Sequence, residues 1–206
     1  MYRLVLTALL ACLGLSEMHA QDPQFSQFYS NPLYLAPSFA GAAGGSRICA
    51  NFRDQWVSLP SSFRTYSFSY DHYFSKFNSG FGLLGYKDAA GTGDLGTISL
   101  GVQYSYNFKV FQTAYIRPGI HFSYRELGLA WDKLKFIDEV MFNGGGSTQP
   151  EPLDRVRDVD LAFSTLVYTQ RIWAGVTVDH LLTPNVSLYA DKNEVPVKIA
   201  VFGGVE

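Results

Sequence analysis

Cysteine is nearly absent from this sequence. There are two, and the first, Cys12, lies in an apolar N-terminal stretch. Once that stretch is removed, Cys49 alone remains, which excludes an internal disulfide and a thiolate zinc site. Charge is also scarce, at 17% of residues against roughly 25% in ordinary soluble domains. A net charge of -2 leaves no basic field for nucleic acid and no acidic block. Beyond the N-terminus, no stretch reaches the roughly 20 continuous apolar residues of a spanning helix. A Gly-x-Ser-x-Gly elbow, a phosphate loop and a dinucleotide fingerprint are all missing. Gly144, Gly145 and Gly146 lack the strand, helix and lysine that a phosphate loop requires. What is plentiful is aromatic: 13 Tyr, 16 Phe and 3 Trp, with 19 Gly spread among polar segments. Strands with one face to lipid have this composition, and a soluble β-sandwich shares it.

The first residues separate those readings by compartment. Met1-Tyr2-Arg3 is a short cationic start, Leu4 to Leu15 an apolar core, and Ala20 a small residue at a cleavage position. Residues 1–20 therefore read as a signal peptide, with Gln21 starting the mature chain. Leu9-Leu10-Ala11-Cys12 resembles a lipidation box, but cleavage there would leave a very short apolar core.

From about residue 46 the sequence alternates with period two in segments of about ten residues, the length a tilted barrel strand needs. The clearest segment is 97–107. Ile98, Leu100, Val102, Tyr104 and Tyr106 share one face, and Thr97, Ser99, Gly101, Gln103 and Ser105 the other. Segments 64–72, 114–125, 158–168 and 171–180 repeat the pattern, while 47–56, 80–87 and 195–205 follow it less cleanly. About eight strands result, aliphatic mid-strand and aromatic toward the ends, as at the two interfaces of a membrane barrel. A sandwich core would have to satisfy many tyrosine hydroxyls, so the expected fold is all-β, an antiparallel transmembrane β-barrel over residues 46–206. The long connections, 126–157 and 181–194, then face the cell exterior. The short turns and the mature N-terminus face the periplasm. Within the longer loop, 131–142 has possible helical character.

Residues 21–45 are not a bare tail. Pro23, Pro32 and Pro37 forbid regular helix, while Phe25, Phe28, Tyr29, Tyr34 and Phe39 are too apolar to remain in solvent. With Asp22 and Asn31, these residues are candidates for a lumen plug or a docking strip. Arg53, Arg64, Arg117 and Arg125, with Asp54 and Asp71, are candidates for an interior ion-pair ladder. The histidines of the mature chain lie far apart on strands, which argues against a metal site. Asp88 to Gly96 reads as a hairpin loop more readily than a calcium site. No catalytic, cofactor or metal residue is assigned, and no Ser–His or Asp–His pair suggests a barrel hydrolase.

Several of these stretches carry a resemblance. Gln21-Asp22-Pro23-Gln24-Phe25-Ser26-Gln27-Phe28-Tyr29, Asn31-Pro32, Pro37-Ser38-Phe39-Ala40-Gly41 and Asn51-Phe52-Arg53-Asp54-Gln55-Trp56 resemble the PorP/SprF proteins of the type IX secretion system in Bacteroidota. The strand Thr65 to Asp71, Asp88-Ala89-Ala90-Gly91-Thr92-Gly93, and Gly175 to Leu181 with Pro184-Asn185 continue the likeness. The resemblance implies a non-enzymatic outer-membrane barrel that supports export or surface attachment of cargo, including gliding adhesins. Its implied partners are outer-membrane lipid, periplasmic ring proteins, a peptidoglycan-binding adaptor and a large secreted adhesin. Members of the family are usually longer, so a barrel lacking its last strands is expected. A small general porin or transporter is the alternative.

Overall fold

The structure is a computed structural model. It describes residues 22, 23, 25, 27–58, 62–91, 93–111, 113–141, 151–189 and 191–205. The signal peptide and the lipidation box lie outside the described residues.

Alternating residues form one antiparallel sheet. Its strands are β1 (Ser46–Gln55), β2 (Phe63–Phe74), β3 (Ser79–Ala90), β4 (Leu95–Tyr106), β5 (Phe108–Lys109), β6 (Tyr115–Gly128), β7 (Arg155–Tyr168), β8 (Ile172–Asp179) and β9 (Lys198–Val205). The continuous path runs β1-β2-β3-β4-β6-β7-β8-β9, and two-residue β5 pairs only with β6. All neighbours are antiparallel, in register from Ser46 opposite His72 to Asp179 opposite Lys198. The eight long strands fall where the alternation predicts them, with ends shifted by a few residues. Short β5 was hidden in the connection between two of them. Among the described residues β1 and β9 are edges, so the sheet is a curled half-barrel.

The two faces differ as the alternation requires. Ile98, Leu100, Val102 and Tyr104 of β4 are exposed on the convex face, while Ser99, Gln103 and Ser105 are buried on the concave one. β2 repeats this, with Tyr66 and Phe68 outward and Thr65, Ser67, Ser69 and Asp71 buried. Apolar side chains outside and polar ones inside invert the arrangement of a water-soluble domain. That inversion is stable where lipid bathes the convex face.

The turns 75–78, 107–114 and 169–171 lie at one end of the sheet, and the connections 129–154 and 180–197 at the other. Within the longer of these, the helical tendency of 131–142 survives as a 3-10 turn (Trp131–Lys133) and a short helix (Ile137–Met141).

Candidate functional site

What fills the concave face is the segment before β1. It runs as a 3-10 turn (Phe28–Ser30), a four-residue helix α1 (Pro32–Leu35) and a second 3-10 turn (Pro37–Phe39). The prolines were expected to forbid helix. Instead Pro32 and Pro37 each open a turn, where the missing N–H has no bond to lose. They limit helix length rather than prevent helix.

Two facts about the sheet make room for this segment. Many of the concave residues beneath it are small, and among them Gly80 and Gly119 face the segment's backbone while Gly82 faces its side chains. A Cβ on Gly119 would stand 2.4 Å from the Ser38 nitrogen, and one on Gly80 would meet the Ala40 carbonyl. Gly82 lies under Leu33, which is 1% exposed. The concave serines and amides then satisfy the segment's backbone, as buried polar groups require. Ser164 Oγ accepts from the Ser38 N–H at 2.7 Å, Ser105 Oγ donates to the Ala40 carbonyl at 2.7 Å, and Gln103 Nε2 donates to the Leu33 carbonyl at 2.8 Å.

The candidate residues of the segment occupy distinct places. Asn31 is buried and donates from Nδ2 to Ser67 Oγ at 2.7 Å. The Tyr34 hydroxyl donates to the Pro23 carbonyl, and its ring meets Phe25 edge-on and Tyr86 across the face. Phe39 packs against Trp173 and Phe202, and its carbonyl accepts from Arg47. Pro37 is buried, whereas Tyr29 is 66% exposed. The Phe28 backbone begins the first turn.

The segment crosses the face from end to end. Ala40 and Gly41 lie by Gly80, Ser105 and Asp71, near the short turns. Asp22 lies among Arg125, His180 and Lys198, at the long-loop end. Ser105 and Ser99, six positions apart on β4, mark this span as about 20 Å at ~3.3 Å per residue. The start of β1 therefore lies at the short-turn end of the sheet and Asp22 at the long-loop end. The physical reason is that the segment packs lengthwise along the interior and does not hang from β1.

Asp22 closes a charged cluster. Its carboxylate accepts from His180 Nε2 at 2.8 Å and from Lys198 Nζ at 2.8 Å, with Arg125 at 3.5 Å. The other His180 nitrogen meets Asp160, which also lies 3.6 Å from Arg125. Burial alone would raise the Asp22 carboxyl. The hydrogen bond from His180 and the charges of Lys198 and His180 outweigh it and hold the group below the usual carboxylate range. For His180, burial opposes the charged ring, but hydrogen bonds to Asp160 and Asp22 push it up to about 9. The imidazolium is thus a fixed cation at neutral pH, clamped between two carboxylates.

The expected ion-pair ladder is only partly present. Asp71 is buried and pairs with Arg47 at 2.8 Å, a partner the sequence reading did not single out. Arg117 lies between the rings of Tyr73 and Tyr168, and Arg125 joins the Asp22 cluster. Arg53 shares the concave parity of β1 and donates to Gln55 at 2.7 Å. Arg64 is a correction. It shares the outward parity of Tyr66 and Phe68, is 57% exposed, and pairs with Asp54 at 3.4 Å on the convex face. Strand parity, which places Arg64 with Tyr66, carried that information from the start. His180, Asp160 and Lys198 were missed because the Asp22 carboxylate that gathers His180 and Lys198 lies 158 and 176 positions from them in sequence. Among the described residues no group of three or more His, Cys, Asp or Glu is arranged to hold a metal ion.

A polar, internally filled concave face under an apolar convex face defines the wall of a membrane β-barrel. No helix among the described residues is long and apolar enough to cross a membrane. A family model described as type IX secretion system membrane protein PorP/SprF matches residues 17–206. The chain belongs to that family, a family of secretion-system membrane proteins and not of enzymes. No curated protein and no solved structure matches it.

Proposed function

We propose that this type IX component supports export or cell-surface attachment of cargo, including gliding adhesins, in contact with the periplasmic ring and a peptidoglycan-binding adaptor. The family match over residues 17–206 carries the reading. In this reading the wall sits in the outer membrane with its short turns toward the periplasm, and residues 22–41 serve as a built-in plug. The hydrogen bonds that tie the segment to β4 and β7 support the plug and weigh against a general porin, which needs an open lumen. Docking is left to the exposed positions, Tyr29 first among them.

Deleting the gene in its host and comparing secreted and surface proteomes tests this. Loss of many cargo proteins marks a core component, and loss of one large adhesin marks a dedicated partner. An unchanged proteome refutes the secretion role.

A further inference from the structure

We propose that the connection between β8 and β9 is a lid on the long-loop mouth of the concave face, coupled to the plug so that lifting the lid frees the plug's N-terminal end. The coupling rests on reading residues 22–41 as a plug.

Residues 181–189 and 191–197 fold back over the concave ends of β4, β6 and β7 instead of standing clear of the sheet. Pro184, Leu188 and Val195 are buried by this fold-back. Pro184, Asn185 and Val186 close a small cavity with Thr97, Arg125 and Val156 of the wall. Backbone bonds pin the connection down. The Leu181 N–H donates to the Leu161 carbonyl at 2.9 Å, the Asn185 N–H to Asp158 Oδ2 at 2.8 Å, and the Leu153 N–H to the Leu188 carbonyl at 2.8 Å. Inside it, the Val186 N–H donates to the Asn193 carbonyl and the Val195 N–H to the Pro184 carbonyl. Cross-bonded in this way, the connection lifts as one piece.

Both roots of the lid hold the plug. His180 precedes it and Lys198 follows it, and each reaches the Asp22 carboxylate at 2.8 Å. Arg125, which also pairs with Asp22, lines the cavity that Pro184 closes. The first root is a strained hinge. His180 and Thr183 have left-handed backbones, with φ of 60° and 44°, and Thr183 is β-branched, which makes that conformation costly. The Thr183 N–H bond to the His180 carbonyl and the lid's bonds to β7 hold the turn closed. When those bonds are lost, His180 relaxes to an ordinary negative φ. Rotation at its own Cα then carries the imidazole off Asp22. Coupling between two sites is reciprocal, so loss of the Asp22 carboxylate loosens the lid in turn.

The test uses full-length protein folded in mild detergent. Hydrogen exchange of peptides from 181–197 reads the lid, and limited proteolysis within residues 22–30 reads the plug end. Val195→Asp puts a charge beneath the lid and is expected to speed both readouts at least about fivefold, the lower bound of ordinary coupling. Asp22→Asn is expected to speed lid exchange at least about fivefold as well. Lys192→Ala, at the exposed tip, should change neither. If Val195→Asp fails to fold by heat-modifiable migration, Asp158→Ala, which removes the acceptor of the Asn185 N–H, takes its place. Cleavage at 22–30 unchanged in a variant whose lid has loosened, or lid exchange unchanged in Asp22→Asn, overturns the coupling. A lid that exchanges freely in wild type, or keeps its protection in the folded lid variant, overturns the lid itself. Bilayer conductance unchanged on deleting residues 22–41 would instead overturn the plug reading beneath it.

Discussion

Replacing Gly119 by alanine would force the plug segment off β6. The added Cβ would stand 2.4 Å from the Ser38 nitrogen and 2.5 Å from the Pro37 carbonyl carbon, both backbone atoms that cannot rotate away. Relief requires the segment to move by about 1 Å, since ordinary carbon contacts begin near 3.5 Å. That shift stretches the 2.7 Å bond from the Ser38 N–H to Ser164 Oγ, in a place where Ser38 is 0% exposed. Overpacking costs about 1–3 kcal/mol, and a buried donor left without an acceptor costs about 1–3 kcal/mol more. The sum, about 2–6 kcal/mol, falls on the docking of residues 31–41 and not on the strand ladders. Hydrogen exchange of peptides spanning that segment should therefore accelerate at least ~30-fold, at tenfold per 1.4 kcal/mol, while peptides from β3 and β4 keep their protection. Gly45→Ala is the matched control, because nothing lies within 4 Å of its added Cβ. Equal protection of residues 31–41 in the two variants would refute the account of glycines as the bed of the segment.

Asp22→Asn should loosen the N-terminal end of the segment by about 1–3 kcal/mol, less than a fully buried pair because Lys198 is 47% exposed. Limited proteolysis near residues 22–30 reads the release, and the His180 pKa measured by NMR should fall with it. His180 sits at about 9, above its ordinary 6.5, so its contribution is complete below pH 6.5 and lost as pH rises through 9. Asp22 is held low, so its contribution is present above pH 3.8 and is lost on acidification below that. Cleavage should thus be slowest between pH 3.8 and 6.5, rise as pH goes from 6.5 to 9 and level off above that, and a rate flat across pH 7–10 would count against the clamp. Leu33→Ala removes a side chain that is 1% exposed and should weaken segment docking by about 2–5 kcal/mol, read by the same exchange experiment. Deleting residues 22–41 should raise bilayer conductance, and a channel as closed as wild type would refute the plug.

Much of this protein is fixed locally. Period-two alternation in stretches such as 95–106 leaves a strand one way to bury polar groups and expose apolar ones, so strand positions, the apolar face and the antiparallel order were all readable from residue order. Arg64 shows the same rule enforced against expectation, since its parity with Tyr66 sends it outward whatever its charge. The prolines and aromatics before β1 announced a segment that had to pack somewhere. Its location was not readable, because the partners of Asp22 are 103 to 176 positions away, at Arg125, His180 and Lys198. Only the curling of the sheet brings β6, β8 and β9 around one carboxylate. The same curvature turns Gly80, Gly82 and Gly119 from unremarkable strand residues into the floor of a bed. Sequence by itself determined which face of each strand is polar, because that is a property of neighbours two apart. Tertiary structure decided what the polar face holds, because that is set by contacts between strands that share no local signal.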